Sequence, residues 1–202
     1  METYQALILG SGHHAHLKQE DLEILFGPGA ELTPKRQLNA DPRGGFLSNQ
    51  KVEVVGPKGR FTASILGPVR SYTQVEISYT DAQLLGIRPK MSDSGILEGT
   101  APCTLIGPAG QLELQEGLMV VRRHVHLDPL VGGKLGVKAG DMLRVRIPGP
   151  RALVFEQVAI AKGFPGVQSI MHLDYDELNA AGVAPGEQVM GTIEYVHDTE
   201  EA

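Results

Sequence analysis

The chain has 202 residues, 42% of them hydrophobic, which is enough for one domain or two small ones with a sizeable core. A net charge of −6, no tryptophan and only 5% aromatic residues argue against nucleic acid and against an anionic membrane surface as partners. The single cysteine, Cys103, excludes an internal disulfide and suits a reducing cytoplasm.

No stretch reaches the roughly 18 apolar residues of a transmembrane helix. The acidic start Met1-Glu2-Thr3-Tyr4 is no secretory signal. Tyr4 to Leu9 reads as a strand that leads through Gly10-Ser11-Gly12 into His13-His14-Ala15-His16-Leu17. The glycines there lack the third glycine and opening helix of a dinucleotide fingerprint. Gln19 to Phe26 reads as a short helix stopped at Gly27-Pro28-Gly29. Residues 27–48 are rich in turn formers and charge, ending in Asp41-Pro42-Arg43-Gly44-Gly45, and read as a loop or hairpin insertion outside the core. Val52 to Val55, the turn Gly56-Pro57-Lys58-Gly59 and Phe61 to Leu66 read as a hairpin. Next, Thr73 to Ser78 alternates, with Thr73, Val75 and Ile77 on one face and Gln74, Glu76 and Ser78 on the other. Asp81 to Leu85 is a short helix, and Leu105 to Gly110 repeats the strand-and-turn theme before Leu112 to Val121.

A unit of short helix, glycine turn and strand recurs. It is seen at Asp81 to Pro89, at Leu130 to Asp141 running into the strand Met142 to Ile147, and at Asp176 to Glu187 running into Gln188 to Tyr195. Three such units, many short strands and abundant glycine and proline describe a mainly β protein of small β-barrels capped by helical turns. Residues 197–202 form an acidic tail.

Six of the seven histidines fall in three stretches: His13, His14 and His16; His124 and His126; and His172 in Met171-His172-Leu173-Asp174. Side chains on a strand repeat every second residue, so His124 and His126 project the same way while Val125 faces the other. Two imidazoles on one face can grip one divalent metal or serve one polar pocket. His13 is expected to point away from His14 if the segment is extended.

These stretches together resemble the phosphate propanoyltransferase family, the zinc-dependent phosphotransacylases of propanediol utilisation. The matching motifs are His14-Ala15-His16-Leu17; Gly67-Pro68-Val69-Arg70 with Thr73 to Ser78; Arg123 to Leu127; Gly149 to Phe155; and Met171 to Asp174 with Glu177 to Gly182. The resemblance implies two small barrels with a metal site between them. It puts residues 3–12 with 121–196 in one barrel and 13–120 in the other. It implies two zinc ions per chain, one on His14, His16 and Glu76 with a position open for the sulfur of coenzyme A, and one on His124, His126 and His172. Arg70 would bind the transferred phosphate, with Ser94 beside it. Where the family has Asn-Arg before the first His-x-His, this chain has Gly12-His13.

The function so implied is reversible transfer of a propanoyl or acetyl group between coenzyme A and phosphate, by a zinc-bound thiolate and without an acyl-enzyme. Its partners would be acyl-CoA or CoA and phosphate or acyl phosphate, and the sequence leaves a homo-oligomer open. A metal-dependent thioester or phosphoester hydrolase and a non-catalytic zinc-binding structural protein are the alternatives. Cys103, between Pro102 and Thr104, reads as a small buried hydrophobe rather than a nucleophile. The first strand begins near Tyr4, which leaves no room for an N-terminal packaging extension, so a freely cytoplasmic enzyme is expected.

Overall fold

The computed structural model describes residues 3–38 and 44–194. Asp41 to Arg43 and the acidic tail lie outside the described residues. In chain order the elements are β1 (Tyr4–Gly10), β2 (His14–His16), α1 (Gln19–Phe26), β3 (Pro34–Gln37), β4 (Phe46–Val55), β5 (Arg60–Gly67), β6 (Gln74–Glu76), α2 (Tyr79–Leu85), β7 (Met91–Ser92), β8 (Ala101–Ile106), β9 (Gln111–Val121), β10 (His124–Leu127), α3 (Pro129–Leu135), β11 (Met142–Ile147), β12 (Leu153–Lys162), β13 (Ile170–Leu173), α4 (Tyr175–Ala181) and β14 (Val189–Glu194). The described residues are mainly β, with two closed six-stranded barrels and four short helices among them. Among the described residues no helix is long and apolar enough to cross a membrane. The chain divides into two compact units, Gly12–Val121 and the remainder on either side of it.

The barrel of the flanking unit closes in the order β1-β13-β10-β12-β11-β14. Its interior is filled by Ile8, Val125, Leu143, Val145, Ile147 and Met171, each at most 2% exposed. Burial of each such side chain contributes about 1.5–3 kcal/mol before entropy is counted. On β10 the alternation is strict. Val125 and Leu127 are buried, whereas His124 and His126 are half-buried on the face turned from the core. The antiparallel register of β10 with β13 sets His124 opposite His172.

The central unit closes through β4-β5-β2-β6-β9-β8, with β8 returning to β4, while β3 and β7 lie off the ring. Ala15 on β2 faces Val75 on β6, and both are fully buried in the core. The same register puts His14 opposite Glu76 and His16 opposite Gln74. Directly opposed residues share a face, so four polar side chains form one patch.

Strand β6 is shorter than the alternation of residues 73–78 predicts, because Ser78 leaves the ladder to cap α2. Its hydroxyl accepts the Asp81 N–H, and the Asp81 carboxylate accepts the Ser78 N–H. This capping box also starts the helix at Tyr79, two residues before the predicted Asp81. Asp128 and Asp174 cap α3 and α4 at the ends of β10 and β13 by accepting the Leu130 and Glu177 N–H. All three helices stop at a left-handed glycine: Gly86, Gly136 and Gly182. The N–H of the next residue, Ile87, Val137 or Val183, bonds back to Ala82, Gly132 or Leu178, which is a Schellman closure. The recurring unit of short helix, glycine turn and strand therefore begins with a capped helical turn that seals the strand before it.

The two Gly-Pro-x-Gly turns seal helices from the other side. The Ala109 N–H donates to the Leu25 carbonyl at the end of α1, and the Lys58 N–H to that of Leu85 at the end of α2. These carbonyls are otherwise orphaned. A Cβ on Gly107 would sit 2.3 Å from the Leu25 oxygen. Gly107→Ala is expected to destabilise by about 2 kcal/mol, a fall in melting temperature of roughly 4–8 °C. The exposed Gly133→Ala, with nothing within 4 Å of its Cβ, should gain up to about 1 kcal/mol. Thermal unfolding of both variants checks this, and equal melting temperatures would contradict it.

Candidate functional site

On the central barrel, His14, His16 and Glu76 bring one ligand atom each to within 4.8 Å of one another. The two imidazoles are 6% and 5% exposed. Each has its Nδ1 against a backbone carbonyl, His14 on Gly12 at 2.8 Å and His16 on Leu66 at 3.3 Å. A carbonyl only accepts, so Nδ1 carries the proton, and a neutral ring must then present Nε2 as a bare acceptor. The two Nε2 atoms face each other at 3.2 Å. The Glu76 Oε2 lies 3.4 Å from that of His14, and Oε1 lies 3.7 Å from that of His16. Acceptors crowded in this way repel unless a proton or a metal ion lies among them.

The titration behaviour of the cluster expresses the same demand. Burial works against a charge on His14, but Glu76, by charge and hydrogen bond, outweighs it and raises the imidazole above its usual value. Burial and the neighbouring His14, joined by Arg70, push His16 down to about 3 against the pull of Glu76. Burial also opposes the charge on Glu76. His14, then His16 and Arg70, nevertheless hold its carboxyl far below the usual range. The contacts that favour a proton on His14 are the ones that would favour a cation there.

The flanking barrel carries a second cup made of His124, His126 and His172, whose ligand atoms also lie within 4.8 Å of one another. His124 donates Nδ1–H to the Arg122 carbonyl at 2.9 Å, and His126 to the Lys162 carbonyl at 2.8 Å. Their Nε2 atoms are again left as acceptors. The ring centroids stand 5.1–5.5 Å apart. This cup is all nitrogen, whereas the first is two nitrogens and a carboxylate. Each offers three protein ligands, which suits a metal that keeps an open position, and the carbonyl partners are the outer support that orients ligating histidines. Both sets fit a divalent cation.

Arg70 and Ser94 lie at the first cup. The Arg70 backbone N–H is anchored on the Leu17 carbonyl at 2.8 Å, and its Nη1 donates to the Tyr72 hydroxyl at 3.1 Å. Ser94 donates to the Glu76 Oε1 at 3.3 Å. His13 stands apart from the ligand set. Its Nδ1 meets Asp81 at 3.1 Å, and its ring stacks on Phe61 with centroids 4.3 Å apart. Two residues of the site carry no role in the sequence reading. Gln74 shares the Glu76 face by simple alternation, which is a signal available in the sequence. Tyr72 meets Arg70 only through the fold. Cys103 is 7% exposed within the core of the central barrel, and burial pushes its thiol up to about 12.

Comparison with known proteins adds an independent observation. The family model described as phosphate propanoyltransferase matches residues 8–184. A protein of Thermotoga maritima named phosphate propanoyltransferase is 43% identical over 197 residues, covering 93% of this chain and 92% of that protein. Proteins of the same name from Enterococcus faecalis and Listeria monocytogenes are each 40% identical over 177 residues, covering 87% of this chain and 82% of theirs.

The Cys103 environment has a direct consequence. With the thiol at about 12, only about one part in ten thousand is thiolate at pH 8, and the thiolate is the reactive form. Iodoacetamide at pH 8 is expected to leave the folded protein unmodified and to alkylate it promptly in denaturant. Rapid labelling of the native protein, followed by mass, would contradict the buried placement.

Proposed function

The chain belongs to the phosphate propanoyltransferase family, and from that premise we propose that it interconverts acyl-CoA plus phosphate and acyl phosphate plus CoA, with propanoyl or acetyl as the acyl group. The observation that carries this reading is a guanidinium set within electrostatic reach of a cation-demanding ligand cup. Arg70 acts electrostatically on all three of His14, His16 and Glu76, and Ser94 bonds to that same carboxylate.

In this reading His14, His16 and Glu76 hold one zinc ion and His124, His126 and His172 hold another. Bound zinc supplies Lewis acidity and favours the thiolate form of a thiol it contacts. Arg70 offers a planar fork that matches two oxygens of a phosphate, and its Tyr72 partner fixes the direction of that fork. Ser94 adds a hydroxyl on the same side. Together these groups offset the charge of a polyanionic substrate in a protein whose net charge is −6.

In the direction from the thioester, a phosphate oxygen bonds to the acyl carbon. The carbon–sulfur bond breaks, and sulfur leaves with its electron pair. The reverse direction retraces the same bonds. Neither Cys103 nor Ser94 is suited to carry the acyl group. Cys103 is buried and protonated. Ser94 bonds to Gln74 and Glu76, and a carboxyl held so far below its usual range is a poor base for activating it. Direct transfer between two bound substrates needs no such nucleophile, and orientation alone can supply about 7 kcal/mol or more.

Propanoyl-CoA should release thiol only when phosphate is present, with one acyl phosphate formed per thiol and with intersecting initial-rate plots. Thiol release without phosphate, giving the free acid, would identify a hydrolase instead. Arg70→Lys keeps the charge but loses the fork. Losing one charge-assisted hydrogen bond of about 1.5 kcal/mol should raise the KM for phosphate about tenfold and leave that for CoA nearly unchanged. An unchanged phosphate KM would assign Arg70 another role.

A further inference from the structure

Gln74 is fully buried, and its amide is committed at both ends. Oε1 accepts the Gly95 N–H at 2.7 Å. A backbone N–H can only donate, so the oxygen must be the end facing Gly95, which leaves Nε2 toward Glu76 and Ser94. Nε2 donates to the Glu76 Oε1 at 2.6 Å and to the Ser94 Oγ at 3.0 Å. Ser94 passes its own proton to the same Oε1 at 3.3 Å. One carboxylate oxygen of Glu76 therefore accepts from both side chains, and Oε2 is the oxygen nearest His14.

The Ser94-Gly95 turn is held on its other side as well. Gly95 has φ +92°, and a Cβ there would lie 3.2 Å from the Tyr72 hydroxyl, the group that accepts from Arg70. Only glycine adopts this backbone conformation without strain. The turn is thus bonded to Gln74 on one side and lies close to the Tyr72 hydroxyl on the other.

We propose that Gln74 is a positioning residue that couples the two halves of the site. It turns the Glu76 carboxylate so that Oε2 is the oxygen offered to the cation. It also fixes the Ser94-Gly95 turn against Arg70, so that metal ligation and phosphate binding share one side chain. The inference rests on the reading of His14, His16 and Glu76 as metal ligands and of Arg70 and Ser94 as phosphate contacts. Outer residues of this kind typically cost 10–100-fold in metal affinity or activity when removed.

The test is Gln74→Met, which keeps the length of the side chain and removes its hydrogen bonds, measured beside the parent by zinc competition, cobalt substitution and steady-state kinetics. The coupling predicts that one of the two zinc ions binds about 10–100-fold more weakly while the other is unaffected. The phosphate KM rises while that for acyl-CoA holds, and the cobalt absorption bands shift as Glu76 is released. Gln74→Glu retains the acceptor for Gly95 but has at most one proton to donate, so it cannot hold Glu76 and Ser94 together. It should raise the phosphate KM and shift the cobalt bands even if the methionine variant folds poorly. Wild-type zinc affinity, bands and phosphate KM in either folded variant would overturn the inference, and so would a lower melting temperature as the only change. A parent protein that binds no zinc would instead overturn the reading beneath it.

Discussion

The structure turns on nitrogen lone pairs held face to face. His14, His16, His124 and His126 each spend their Nδ1 proton on a backbone carbonyl. In the central barrel this leaves two Nε2 acceptors 3.2 Å apart beside a carboxylate. Such a cluster is stable only around a positive charge. The raised imidazole of His14 and the depressed carboxyl of Glu76 are two expressions of that requirement, while burial and His14 together push His16 down.

The rest of each barrel serves to keep those acceptors in place. A β ladder fixes register wherever one face is buried, because a slip of one residue would turn every side chain over. Ala15 and Val75 lock β2 against β6, and Val125 and Met171 lock β10 against β13. The pairs His14–Glu76 and His124–His172 then follow as neighbours on the opposite face. Capped helices with Schellman closures begin just after β6, β10 and β13, where the strands that bear ligands would otherwise fray.

Much of this was legible in the sequence, for reasons that differ from residue to residue. The pairing of His124 with His126 follows from strand alternation, which is a local rule. The short helices announced themselves through their glycine stops. Glu76 was different: nothing in its spacing from His14 says that they touch, because antiparallel register between distant strands is set by the packing of the whole barrel. Family resemblance supplied that residue before geometry did. Ser78 shows a competition that alternation cannot resolve, since its side chain suits a strand face and a helix cap equally and the capping box won. Tyr72 was not legible at all, because nothing in a spacing of two residues says that its hydroxyl accepts from Arg70.

The most direct measurement of the central claim is crystallographic anomalous scattering at the zinc absorption edge on protein purified without chelators. The account predicts two peaks per chain. One would be bonded to Nε2 of His14, Nε2 of His16 and a Glu76 oxygen, and the other to the imidazoles of His124, His126 and His172. The Nδ1 atoms of His14, His16, His124 and His126 would remain on their carbonyls. Absence of a peak at the His14 cup, or ligation through Nδ1 with those carbonyl bonds broken, would contradict it.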